Sequence, residues 1–256
     1  MNAAHLGESL GVLAAGVGAG AVNAAVGSGT LITFPVLLAT GLPPVTATVS
    51  NTLGLIPGSV SAAIGYRREL RGQRRRLLKW SAGALLGGLT GAVLLLALPA
   101  SAFERIVPVL VGLAVVLVVL QPLIRKRARR RGTSSRPRPD GGPLLPVGLT
   151  LASVYGGYFS AAQGIIYVSL MGLLLDDGVQ CLNAAKNVLV AVVNSVAALF
   201  FLAVADFDWT AVVLIAVGSA AGGQLGAKAG RRLRPGVLRA LIVVVGTFSI
   251  VQLLLR

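Results

Sequence analysis

The sequence predicts an all-α polytopic membrane protein made of two inverted-topology repeats. Each repeat is a broken or re-entrant helical hairpin, dipping halfway or crossing fully, followed by three transmembrane helices. Three observations predict it. The chain of 256 residues is 55% hydrophobic and 12% charged, with a mean hydropathy of +0.84, which is the composition of membrane-spanning helices. Its two halves align with each other. Its basic residues cluster in a few loops whose positions differ between the halves.

The first repeat covers 1–123. Its hairpin is formed by apolar segments 6–26 and 28–40, and segments 43–66, 77–98 and 102–123 follow. A basic linker at 124–143, Arg-rich and then Ser/Pro/Gly-rich, leads to the second repeat, 144–256. There the hairpin 144–175 is split by Gln163-Gly164, and segments 179–205, 209–227 and 235–255 complete the repeat. Most segments reach the ~20 residues that cross a bilayer. Segments 28–40 and 163–175 do not. Each follows a break, Gly27-Ser28-Gly29 in one case and Gln163-Gly164 in the other. Short, interrupted segments at matching places in two halves point to discontinuous helices and to a transporter's substrate site.

A shift of 135 places Gly29 on Gly164, and Gly83, Gly87, Gly88 and Gly91 on Gly218, Gly222, Gly223 and Gly226. A shift of 136 places Asn51 on Asn187 and Ser59 on Ser195. The glycine sets read as close helix-packing faces. Charge then orients the repeats. Of 23 Lys and Arg residues, seven lie at Arg67–Lys79, eight at Arg125–Arg138 and five at Lys228–Arg239. Loops rich in Lys and Arg stay in the cytoplasm. The Arg-rich loop after 43–66 has an acidic counterpart, Asp206-Phe207-Asp208, and the apolar loop after 77–98 has an Arg-rich one. Equivalent loops therefore fall on opposite sides, which means inverted topology. This places the chain in the cell membrane with basic loops cytoplasmic and both termini external. The opening residues lack the positive region of a signal peptide, so the first apolar segment is expected to remain in the mature protein.

The formal net charge of +15 sits in inter-helix loops, which fits contact with an anionic leaflet rather than nucleic acid. One cysteine, Cys181, and one histidine, His5, rule out an internal disulfide and a Cys-based zinc site. Cys181 reads as a small buried hydrophobe. No cofactor is expected. Nor is an intramembrane enzyme, because no nucleophile, base and orienting group can be placed together.

Lys186 carries the chemistry of this reading. It lies inside apolar segment 179–205, with no acidic residue within one helical turn. A cation at that depth pairs or lines a polar pathway, and here it offers an anion a docking point. The competing reading is that it snorkels to the interface. Asn51 and Asn187 add amide donors, with Ser50 beside the first. Ser28 and Gly29 open one half-helix, and Gln163 and Gly164 open the other. Helix N-termini favour anions, so two such ends would frame one site beside Lys186. Ser59, Asn194 and Ser195 read as structural hydrogen-bonding residues, and Pro35 and Pro57 as helix kinks.

The stretch Gly16 to Tyr66 contains Gly27-Ser28-Gly29, Pro35-Val36-Leu37-Leu38 and Gly41-Leu42-Pro43-Pro44. With Gly156 to Asn194 and Gly218 to Leu241, it resembles the sulfite exporter TauE/SafE family of membrane transporters across nearly the whole chain. The family turn is richer in glycine, and Ser28 and Thr30 interrupt it here. The resemblance implies about eight membrane helices and transport of sulfite, sulfonates or other sulfur-containing anions. The expected function is thus a secondary transporter of a small sulfur-containing anion, working by alternating access. A passive anion channel on the same scaffold, or a transporter of a non-sulfur anion, is the alternative. The expected partners are that anion and the lipid bilayer, with a homo-oligomer left open and no nucleic acid.

Overall fold

The computed structural model describes residues 3–131 and 141–229, together with the single positions 244 and 247. Apart from those two positions, segment 235–255 lies outside the described residues, as do the Arg231–Arg239 part of the third basic cluster and linker residues 132–140. Ten helices are described: α1 (Ala3–Ala25), α2 (Thr30–Ala39), α3 (Pro44–Gly54), α4 (Ile56–Gly65), α5 (Arg74–Ala97), α6 (Ala100–Arg131), α7 (Leu144–Tyr158), α8 (Gln163–Leu174), α9 (Val179–Val204) and α10 (Trp209–Ala229).

Five helices contain stretches long and apolar enough to cross a membrane: Leu6–Ala25, Arg74–Ala97, Ala100–Leu120, Val179–Val204 and Trp209–Lys228. Shorter apolar helices accompany them. Large apolar side chains such as Leu86, Leu151, Leu199 and Val217 are exposed, as expected of a surface bathed in lipid. The protein is a polytopic, all-helical membrane protein.

Two boundaries differ from the sequence reading. Segment 43–66 is two helices jointed at Leu55. Pro57, the second residue of α4, has no N–H to continue the ladder, and it marks the joint the sequence expected to be a kink. At the other boundary, α6 runs on to Arg131, eight residues into the expected linker. Lys and Arg are good helix formers, and no Gly or Pro interrupts 123–131, so the basic tract continues the helix.

The two halves interlock. The first helix of the chain, α1, packs along α10, and α7 packs along α5. In the same way α10 packs on α4, and α5 on α9. Glycines allow the close approach. A Cβ on Gly222 would lie 2.0 Å from the Val17 oxygen, and one on Gly226 would lie 2.3 Å from that of Ala21. On the other side, a Cβ on Gly87 would lie 2.4 Å from the Thr150 oxygen, and one on Gly91 would lie 2.0 Å from that of Val154. Backbones therefore touch, as small residues permit in membranes. Overpacking such a contact costs roughly 1–3 kcal/mol. Gly91→Ala and Gly226→Ala should each lower the thermal unfolding midpoint by several degrees, and by similar amounts. Unchanged midpoints would remove the close-packing role.

One end of the bundle is basic. Tyr66 and Leu70 pack with Ala184 and Ala227, which brings the Arg67–Lys79 loop, the start of α9 and Lys228 together. A cavity of about 330 Å³ lined by Glu8, Ser9, Thr40, Leu42 and Asp208 lies where the other ends of α1, α2 and α10 meet.

Candidate functional site: the crossing of two helix breaks

Each hairpin breaks for a local reason. After α1 the chain turns on Gly27, whose φ of +95° is a left-handed conformation that glycine adopts readily. Gly29 then precedes α2 without a side-chain cap. After α7 the turn uses Ser160 and Ala162, with φ of 67° and 57°, and Ala162 precedes α8, again uncapped by a side chain.

The two breaks touch. The Gly164 N–H donates to the Gly27 oxygen at 3.1 Å, and a Cβ on Gly27 would lie 2.5 Å from the Gly164 Cα. Thr30 Oγ1 also donates to Ser160 Oγ at 3.4 Å.

Lys186 seals this crossing. Its Nζ donates to the Asn23 oxygen at 2.6 Å and the Ala24 oxygen at 3.0 Å. These are carbonyls in the last turn of α1, which the break leaves without helical donors and where the helix dipole is negative. Asn187 Nδ2 donates to the same Ala24 oxygen at 3.3 Å. The Lys186 stem lies against Gly164, where a Cβ would come within 2.8 Å of the lysine Cδ. Lys186 is fully buried, so it does not snorkel. The side chain that the sequence marked as a buried cation holds the broken end of α1.

The other sequence-selected residues divide. Asn51 joins the crossing: it donates to Thr30 Oγ1 at 3.2 Å and accepts from Thr33 Oγ1, at the start of α2. Ser28, Gly29, Gly164, Asn187 and Lys186 are at the crossing itself. Gln163 opens α8, but its side chain turns into α7 against Gly156 and donates to Tyr167 OH at 2.8 Å. Ser50 is aimed elsewhere, accepting from the Asp208 N–H at 3.0 Å in the loop before α10. Ser59 accepts from Asn23 Nδ2 at 3.2 Å and donates to the Leu55 oxygen. Ser195 is half-buried on the outer face of α9. Cys181 is also half-buried, which corrects its reading as a buried hydrophobe.

Several buried polar atoms have no hydrogen-bond partner among the described residues: Ser28 Oγ, Gln163 Oε1, Asn183 Oδ1, Asn187 Oδ1 and both amide atoms of Asn194. Asn194, expected to make structural hydrogen bonds, is fully buried and has no partner among the described residues. An unpaired buried polar atom costs about 1–3 kcal/mol and calls for an occupant such as water or a ligand. The sequence reading also missed Asn23, Thr30, Thr33 and Ser160. The signal for Asn23 was its place in the last helical turn before Gly27. Among the described residues, no group of three or more His, Cys, Asp or Glu could hold a metal ion.

Across the basic end, Arg76 Nη2 pairs with Asp177 Oδ2 at 2.6 Å and with Gln73 Oε1 at 3.0 Å, and its guanidinium lies 5.3 Å from the Trp80 ring centre. This bond ties α5 to the loop between α8 and α9. Asp177→Arg alone should destabilise the protein by about 1–2 kcal/mol, and adding Arg76→Asp should recover about half or more of that. The rate of maleimide labelling at Cys181, beside Gln73, should rise in the single variant and fall back in the double. Equal labelling in all three proteins would show that the pair does not hold this end closed.

The profile of the sulfite exporter TauE/SafE family matches residues 12–253. A probable membrane transporter protein YfcA of Escherichia coli (strain K12) is 27% identical over 240 residues, covering 92% of this chain and 86% of that protein. A probable membrane transporter protein of Haemophilus influenzae is 25% identical over 226 residues, covering 87% and 85%. A probable membrane transporter protein ORF9 of a Sinorhizobium species is 26% identical over 242 residues, covering 92% and 88%. No solved structure matches the chain.

Proposed function

The chain belongs to the sulfite exporter TauE/SafE family, a family of membrane transporters, and from that premise we propose that it is a secondary transporter of a small sulfur-containing anion. The substrate class is sulfite or an organosulfonate. Transport proceeds by alternating access between two inverted repeats, 1–123 and 144–256, each with a broken helical hairpin, joined by the cytoplasmic linker 124–143. The basic loops face the cytoplasm and both termini lie outside.

One observation carries this reading: a fully buried ammonium sits where the two helix breaks cross. The Asn23 and Ala24 carbonyls hydrogen-bond this ammonium and hold it at the crossing. In a low-dielectric interior an anion gains strongly from such a centre. Gly164 lies against the Lys186 stem and Asn187 shares the Ala24 oxygen with it; the proposed site also takes in Ser28, Gly29 and Asn51 from the crossing, with Gln163 turned toward Tyr167 and Ser50 toward Asp208.

The crossing also gives the anion a way to act on the protein. An anion that takes Lys186 draws it from the end of α1. That end then loses two donors, and the Gly27–Gly164 contact beneath the lysine stem loses its brace. A ligand drives such a change only if it binds the two states differently, and competition for one ammonium supplies the difference.

Purified protein should be stabilised by one member of a panel of sulfite, sulfate, thiosulfate, taurine and sulfoacetate. A saturating ligand at 100 times its Kd adds about 2.7 kcal/mol. The same anion should exchange across proteoliposomes at transporter rather than channel rates. Stabilisation and exchange with a non-sulfur anion alone would sink the substrate class. No response to any anion would sink the anion-substrate reading.

A further inference from the structure

The outer surface carries a groove of about 600 Å³ that the transport reading does not use. Its walls are Val60 and Ile64 of α4, Leu85 of α5, and Val188, Ala191 and Leu199 of α9. Val60, Ile64, Leu85 and Leu199 are exposed, so it opens sideways to the hydrocarbon. From Val188 to Leu199 it follows α9 for roughly 16 Å. That is about half of a ~30 Å hydrocarbon core, or the depth of one leaflet.

The groove is apolar along its length and basic at one end. Arg67 lines it there, and Arg68 and Arg71 are exposed in the same loop. We propose that this groove is a binding site for one anionic phospholipid, with an acyl chain along α9 and the headgroup on Arg67. Charge complementarity favours this occupant over a second copy of the chain. A two-fold contact through the groove would bring one Arg67–Arg71 loop against another, and like charges oppose that pairing. An anionic headgroup matches the basic end while its chain fills the apolar part. Because α4 and α5 come from the first half of the chain and α9 from the second, the lipid touches both.

The test compares phosphatidylglycerol with phosphatidylcholine of identical acyl chains, titrated onto delipidated full-length protein. Binding is read by native mass spectrometry and by thermal shift. Phosphatidylglycerol should bind on the order of fivefold more tightly, the effect of one arginine near a headgroup. Arg67→Gln, a change at an exposed side chain, should remove the preference and leave phosphatidylcholine binding as it was. Ala191→Trp, which fills the groove, should weaken both lipids. Equal binding of the two lipids to the wild type would overturn the proposal. So would a preference for phosphatidylglycerol that survives Arg67→Gln. A dimer of the wild-type protein that Ala191→Trp separates, with no lipid effect, would assign the groove to a second copy instead.

Discussion

Replacing Asn187 by Asp should abolish anion transport while leaving the protein folded, whereas Lys186→Ala should cost both transport and stability. The contrast separates two jobs that a single lysine performs. Lys186→Ala removes the donors to the Asn23 and Ala24 oxygens. The buried Asn23 oxygen then loses this donor, at about 1–3 kcal/mol, while the Ala24 oxygen keeps Asn187 Nδ2, so lost transport in that variant has a structural explanation as well as a functional one. Asn187→Asp narrows the ambiguity, because it gives up only the Nδ2 bond to the Ala24 oxygen, which keeps Lys186. The Asn187 Oδ1 atom has no partner, and its Nδ2 shares the Ala24 oxygen with the lysine. A carboxylate there keeps the ammonium in place and neutralises it. Two unit charges about 5 Å apart interact by roughly 3 kcal/mol at an effective dielectric of 20. That corresponds to a loss of about 100-fold in anion affinity. Anion uptake and thermal unfolding should be measured on both variants. Normal uptake by Asn187→Asp would show that the ammonium is a structural clamp alone.

Gly27→Ala should be strongly damaging, because it combines backbone strain with a steric clash. The position combines a φ of +95° with a Cβ that would lie 2.5 Å from the Gly164 Cα and 3.1 Å from the Ile165 nitrogen. The backbone conformation costs an L-residue about 1–2 kcal/mol, and the intrusion adds roughly 1–3 kcal/mol. The unfolding midpoint should fall by about 10 °C. Gly41→Ala is the control: its φ is +89°, and nothing lies within 4 Å of the added carbon. It should show only the backbone part of the loss. If both variants melt together, the crossing of the two breaks contributes no packing energy, and the contact between Gly27 and Gly164 is incidental.

The parts of this architecture that depend on local chemistry were legible in the sequence, and those that depend on which helix meets which were not. Lys186 stood out because an ammonium is conspicuous among apolar neighbours. The break at Gly27-Ser28-Gly29 was visible as glycine. The second break was fainter because its left-handed positions are Ser160 and Ala162, residues that rarely advertise such a conformation. Thr30 and Thr33 look like ordinary members of an apolar helix, and the approach of Asn51, with Ser160 at Thr30, gives them a role. Asn194 illustrates the reverse limit. An amide in a membrane helix usually finds a neighbouring helix to bond, but this one is enclosed and finds none among the described residues. The run of α6 to Arg131 was hidden by reading charge as the end of a helix, when charge there ends only the apolar stretch.

The exchange of hairpins between the halves bears on how the protein is made. Helix α1, which carries Gly16 and Gly20, leaves the ribosome long before its mate α10, which begins at Trp209. For most of synthesis that glycine face has only lipid against it. During that interval the nascent chain must hold a half-built bundle in the bilayer, and non-local pairing of this kind is slow and exposed to misassembly. Interlocking has a compensating outcome once translation ends. Neither half can peel away from the other without unpacking its own hairpin, so the finished bundle resists separation into its two parts even though only one covalent linker joins them.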